Sequence, residues 1–166
     1  KIVFTGEESL WDRIKKMEQI LCKQGYDKEE IRIISKENAF IHYVLGQEEE
    51  IRRHTVMLFE LDGTELSCYR MYHSGKKEQK QYKTEKKEVG VFSRNGYSEA
   101  LKKRYDDQFA KVAKDILSKE VVSAVYLTGD GFLEDWLDKS LRIVCDGRRA
   151  FLGQNLFSTG CCYYGN

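Results

Sequence analysis

The order of apolar and polar positions divides the chain into alternating strands and helices. Ile2 to Thr5 is a short apolar run, and Thr5-Gly6-Glu7-Glu8 fits a capping box, a hydroxyl at a helix start with a carboxylate three residues on. Leu10, Ile14, Met17 and Leu21, flanked by Trp11 and Ile20, then recur at helical spacing up to Gly25, which predicts a helix with one buried face. Ile31, Ile33 and Ile34 predict a second strand, and Ala39, Phe40, Tyr43 and Val44 a second, short helix. Beyond a charged turn at Glu48 to Arg53, Thr55 to Leu61 and Glu65 to Tyr72 read as two strands joined by Asp62-Gly63-Thr64, because Asp-Gly is a strong hairpin signal. A third strand falls within residues 79–92. Leu101, Tyr105, Phe109, Val112, Ala113, Ile116 and Leu117 make the clearest helical stripe, inside Tyr97 to Lys119. Ala124 to Thr128 reads as a buried strand and Leu133 to Cys145 as a helix stopped at Gly147, with a last short helix starting near Asn155.

This alternation predicts an α/β fold, a mixed sheet with helices on both faces. The chain has no Pro and no Gly/Ser tract to act as a linker, so division rests on pattern alone: a β-α-β-α segment over residues 1–50, and a β-β-β-α-β-α-α unit over residues 51–166.

Charge narrows the partners. Lys and Arg total 28 against 27 Asp and Glu, so no global field recruits nucleic acid or an anionic membrane. The stretch Lys76 to Glu88 holds six Lys, but three Glu are interleaved with them, the composition of a solvated edge strand guarded against aggregation. Apolar runs fall far short of the ~20 residues of a membrane helix. Five Cys, none in a C-x-x-C pair, suit a reducing cytoplasm better than a disulfide framework or a zinc knuckle. The chain opens at Lys1 inside a strand, without Met or a leader, and so reads as a piece of a longer protein.

Most candidate chemistry has an ordinary explanation. His42, His54 and His73 lie on separate elements without metal-ligand spacing, so no metal site is expected. Gly-x-Ser-x-Gly and Walker motifs are absent from the sequence. Cys161 and Cys162, beside Tyr163 and Tyr164, read as packing on a closing helix; Arg148 and Arg149 as a surface turn; Glu134, Asp135 and Asp138 as acids at a helix N-terminus.

Four stretches carry a resemblance. IISKENAFIHYVL from Ile33 resembles the connecting segment of actin-like and Hsp70-like ATPases; FELDGTEL from Phe59 resembles their second phosphate loop; VYLTGDGFLEDWL from Val125 resembles their adenosine motif, a strand ending in a Gly turn that opens a helix; and GQNLFSTGCCYYG from Gly153 resembles their closing helix with its small-residue face. The tail is also similar to that of a group of bacterial proteins, mainly from Clostridia, that carry an actin-like lobe. The resemblance implies a ribonuclease H-like lobe, whose order is a three-stranded meander followed by helix, strand and helix. It further implies ATP and Mg²⁺ as cofactors, with Glu60 or Asp62 in the acidic role, Gly63 and Thr64 at the phosphates, and Gly129, Asp130 and Gly131 at the nucleoside. Against the family pattern, the phosphate loop has one Gly, Glu60 stands where Asp is usual, and Gly-Asp-Gly replaces two consecutive glycines. The expected function is therefore a non-catalytic interaction or scaffold module on a worn nucleotide-binding lobe, with a preceding lobe, another protein or a second copy as partner. The alternative is an ATP- and Mg²⁺-binding lobe of an ATPase, completed by a lobe upstream of Lys1.

Overall fold

A computed structural model describes residues 1–74, 81–92 and 98–165. Tyr97 and the Lys76–Lys80 part of the lysine-rich stretch lie outside these residues. The elements run β1 (Ile2–Gly6), α1 (Trp11–Lys23), β2 (Ile31–Ser35), α2 (Lys36–Leu45), β3 (Thr55–Asp62), β4 (Glu65–Ser74), β5 (Gln81–Val91), α3 (Glu99–Leu117), β6 (Val122–Thr128), α4 (Lys139–Cys145), β7 (Arg149–Leu152) and α5 (Leu156–Gly165). Short 3-10 turns precede α1, β2 and β3 and follow β6. Among the described residues no helix is long and apolar enough to cross a membrane.

The chain divides into two compact units. Lys1–Gln47 joins Asn155–Asn166, and Glu48–Gln154 forms the other. The division expected at residue 50 places the last helix with residues 51–166; in the structure α5 lies against α2 in the first unit. A side chain at Gly160 would overlap the Ala39 carbonyl oxygen, so the two helices meet backbone to backbone at a residue without a Cβ. Cys161 is buried there with Ile34 and Ala39, as expected of a closing helix, while Cys162 is exposed.

In the first unit β1 and β2 pair in parallel, Ile2 beside Ile31 through Gly6 beside Ser35. Two expectations fail here. Thr5 opens no helix: β1 continues past it to Gly6, and neither the 3-10 turn at Glu8–Leu10 nor α1 has a side-chain cap. Ladder pairing with Ile34 has taken Thr5 out of the capping position. The apolar stripe of α1 buries only Ile14, while Leu10, Met17 and Ile20 stay exposed. Helical periodicity reports which face is apolar, and not whether anything in the same fold covers it.

The second unit holds a five-stranded mixed sheet in the order β5-β4-β3-β6-β7. β3, β4 and β5 form an antiparallel meander, and β6 and β7 add in parallel on the other side of β3. This is the ribonuclease H-like arrangement. On one face Met57, Phe59, Leu61, Cys68, Val125 and Leu127 pack against α3 and α4 through Tyr105, Phe109, Ala113, Leu117 and Val144. Residues of the other face, such as Val56, Leu58, Tyr69 and Tyr126, are buried as well. β3 is the central strand and all but its last residue is buried, which explains its nearly continuous apolar run.

Two local expectations are corrected. The helix expected from Leu133 begins six residues later, at Lys139. The carboxylate of Asp106, buried on α3, accepts the N–H groups of Asp138, Lys139 and Ser140 at 3.2, 2.8 and 2.9 Å and so fixes the first turn there. Trp136 meanwhile turns into the aromatic cluster of Phe92, Phe109 and Phe132, its Nε1–H donating to the Gly131 carbonyl. Glu134 and Asp135 therefore precede the helix, and Asp138 pairs with Arg142 instead of capping. Arg149, expected in a surface turn, starts β7, whose four residues pair with β6; its guanidinium reaches Glu48 and Glu50.

Candidate functional site

β3 and β6 run in parallel, so their C-terminal ends lie together, and this is where open α/β sheets present ligands. The positions singled out from sequence meet at that end. Glu60 lies beside Thr128 of β6 and Ser67 of β4. Asp62 pairs with Glu65, leaving Gly63 and Thr64 as a two-residue hairpin loop in which Gly63 adopts φ +57°. Gly129 follows β6 at φ +100°, and Asp130 to Phe132 form a single 3-10 turn, in place of the helix that the adenosine-motif resemblance implied.

Glu60, the Gly63 N–H, the Thr64 carbonyl and the Gly129 backbone groups each have an internal partner. Glu60 is 7% exposed, and its carboxylate accepts the Tyr69 hydroxyl at 2.7 Å. The Gly63 N–H donates to Asp130 Oδ1 at 3.0 Å, so a carboxylate occupies the direction from which a hairpin N–H could approach an anion. Thr64 accepts the Phe92 N–H through its carbonyl, tying the loop to the residue after β5. Gln154 clasps Gly129 from both sides, its Oε1 accepting the Gly129 N–H at 3.2 Å and its Nε2 donating to the Gly129 carbonyl at 3.1 Å.

The glycines serve the protein's own backbone. A Cβ on Gly129 would overlap the Leu61 carbonyl, and one on Gly131 the Leu61 side chain. The bare side of the Gly-Asp-Gly turn is thus filled by β3. Of these three glycines, Gly63 faces open space. Among the described residues no three His, Cys, Asp or Glu side chains converge as a metal-binding group, and Glu60, turned inward to Tyr69, is separated in role from the exposed Asp62 and Asp130.

Sequence reasoning did not find a second polar cluster, at the opposite end of the sheet. Glu120, just after α3, accepts Arg70 Nε and Nη2 together with the Thr55 hydroxyl. The Arg70 hydrogen bond holds the Glu120 carboxyl below its usual range against the opposing effect of burial, with Thr55 adding to the lowering. Arg70 also reaches Glu85 on β5. These residues lie up to 65 positions apart, so no local spacing announces them.

Residues 1–166 match the family described as "Family of unknown function (DUF5716) C-terminal". The chain belongs to that family. No curated protein matches its sequence. Among solved structures it is similar to RuvC of Thermus thermophilus, at 13% identity and TM-score 0.38 over 59% of this chain and 61% of that one. It is similar also to the PPX-GPPA enzyme of Aquifex aeolicus, at 15% identity and TM-score 0.36 over 78% of this chain and 43% of that one. The type II variant of the Aquifex aeolicus Ppx/GppA phosphatase matches at 17% identity and TM-score 0.33 over 60% and 34%. The family member thus spans between about a third and three fifths of the length of these chains.

Proposed function

We propose that this family member is a non-catalytic interaction module, a ribonuclease H-like unit whose ligand-facing end is closed on itself. The observation that carries the reading is the lock between the two loops: Asp130 takes the Gly63 N–H while Leu61 fills the space beside Gly129 and Gly131. A phosphate approaching Gly63 meets the Asp130 carboxylate first, and like charges there oppose binding. A nucleoside approaching the Gly-Asp-Gly turn meets Leu61. Glu60, which would have to hold hydrated Mg²⁺, spends its carboxylate on Tyr69 in a buried setting. These residues do not fit ATP and Mg²⁺, and no step of hydrolysis is assigned to them.

The partner is then a protein. Leu10, Met17 and Ile20 leave an apolar strip exposed along α1, of the kind that another protein surface buries. A preceding lobe of the same protein and a second copy are both candidates for it.

Isothermal titration of Mg-ATP into the full chain tests the reading. No heat is expected up to millimolar nucleotide. A saturable signal with a micromolar midpoint, lost on Gly63→Trp at the one open glycine of the loop, would overturn it and favour the ATP-binding lobe.

A further inference from the structure

A groove of about 710 Å³ runs between the flank of α3 and the sheet face formed by β3, β4 and β5. It shares no lining residue with the β3–β6 end described above. Its size lies within the ~300–1,000 Å³ of small-molecule pockets. The apolar lining comes from Met57, Cys68, Val89, Val112 and Ile116.

The polar groups at this groove are mostly committed. Arg70 is held by Glu120 and Glu85, Lys119 pairs with Asp115, and the Gln108 amide donates to the Val91 carbonyl. Burial pushes the Cys68 thiol up to about 12, so it stays neutral, and its sulfur lies 4.0 Å from that of Met57. The lining therefore offers little that could read a peptide backbone. Two lysines differ: Lys87 on β5 and Lys111 on α3 stand on opposite walls, and neither has an ion pair among the described residues. Lys87 shares the register position, and so the face, of Cys68. Glu88 touches the rim, but its register partner is Ser67, on the other face of the sheet.

We propose that this groove binds a free amphiphile with a long apolar chain and one anionic head, a fatty-acid-type carboxylate, with the chain over the partly buried Val89, Val112 and Ile116 and the head between Lys87 and Lys111. An apolar trough favours any hydrocarbon by burial, while two ammonium groups outside the groove's ion pairs among the described residues favour the anion over its neutral analogue.

The test is a fluorescence titration of the full chain with 11-dansylaminoundecanoate, followed by displacement with dodecanoate and with dodecanol. A saturable blue shift at one site per chain is expected, with dodecanoate displacing the probe at about tenfold lower concentration than dodecanol. The double variant Lys87→Glu, Lys111→Glu changes only exposed side chains, and its fold is checked by circular dichroism. It should weaken dodecanoate about tenfold and leave dodecanol unchanged. Failure of the probe to saturate, equal displacement by acid and alcohol, or unaltered dodecanoate binding in the variant would each overturn the proposal, and binding confined to anionic vesicles would assign the surface to a bilayer instead.

Discussion

Replacing Asp106 by alanine removes the one carboxylate on which the start of α4 converges. Three backbone N–H groups and the Ser140 hydroxyl donate to it, and Ser140 is fully buried. Loss of an N-cap costs about 0.5–2 kcal/mol, and leaving buried donors unsatisfied adds about 1–3 kcal/mol. Since the Asp138 and Lys139 groups are only partly buried and can recruit water, a total near 3 kcal/mol follows for Asp106→Ala, about a hundredfold in the unfolding constant. Asp106→Asn keeps one acceptor oxygen but turns an amide NH₂ toward an N–H, and should fall between. Urea unfolding followed by Trp136 fluorescence measures both, because Trp136 sits in the core beside Phe109 and Phe132. The pH dependence has a definite sign. Burial works to raise the Asp106 pKa, but the hydrogen bonds from Ser140, Lys139 and Asp138 together outweigh it and hold the carboxyl below its usual value. A group depressed in the folded state gives its full stabilisation above the unfolded pKa and loses it as pH falls through the folded one. The gap between the native chain and Asp106→Ala should thus be constant from about pH 5 to 8 and close only below about pH 4. A cost under about 1 kcal/mol at neutral pH would refute the view that this side chain sets the helix start.

Other expectations are as specific. Gly131→Ala should cost more than about 2 kcal/mol by colliding with Leu61, and adding Leu61→Ala should recover part of that loss; strictly additive effects in thermal unfolding would refute the close-approach argument. Cys145 and Cys162 are exposed and should react quickly with a thiol reagent at about pH 8, whereas Cys68, 5% exposed with its thiol pushed up to about 12, should react only on unfolding. Mass mapping that finds Cys68 labelled as fast as Cys145 would contradict its placement. Glu120→Gln weakens the link to Arg70, whose side chain is 35% exposed, so the loss after solvent screening should be about 1 kcal/mol and should shrink in high salt. The Glu120 pKa is lowered on folding, so this stabilisation is present above the usual glutamate range and should fade as pH drops through the folded value.

Much of the architecture is legible in local pattern because burial has a period. The stripe of α3, the apolar runs and Asp-Gly turn of the β3–β4 hairpin, and the charged edge strand β5 are each specified by residues close in sequence. The positions expected to form a ligand end were also brought to one place, since parallel pairing of β3 and β6 forces Glu60 beside Thr128 and sets Gly129 over Leu61.

What local pattern could not carry was the use made of those groups. Gly-Asp-Gly has the same spelling whether its bare face meets a nucleoside or a neighbouring strand, and only the pairing of β3 with β6 put Leu61 there. Asp106 looks like one more charge on a helix until Ser140, 34 positions away, donates to it and moves the start of α4. β7 lacks an alternating pattern because its pairing with β6 forms it. The amino-acid sequence by itself determined which faces are apolar, where turns can form and the order of the elements, all consequences of short-range sterics and periodic burial. Tertiary structure alone decided which polar groups are consumed internally, because hydrogen bonds between residues dozens of positions apart depend on where the sheet brings them together.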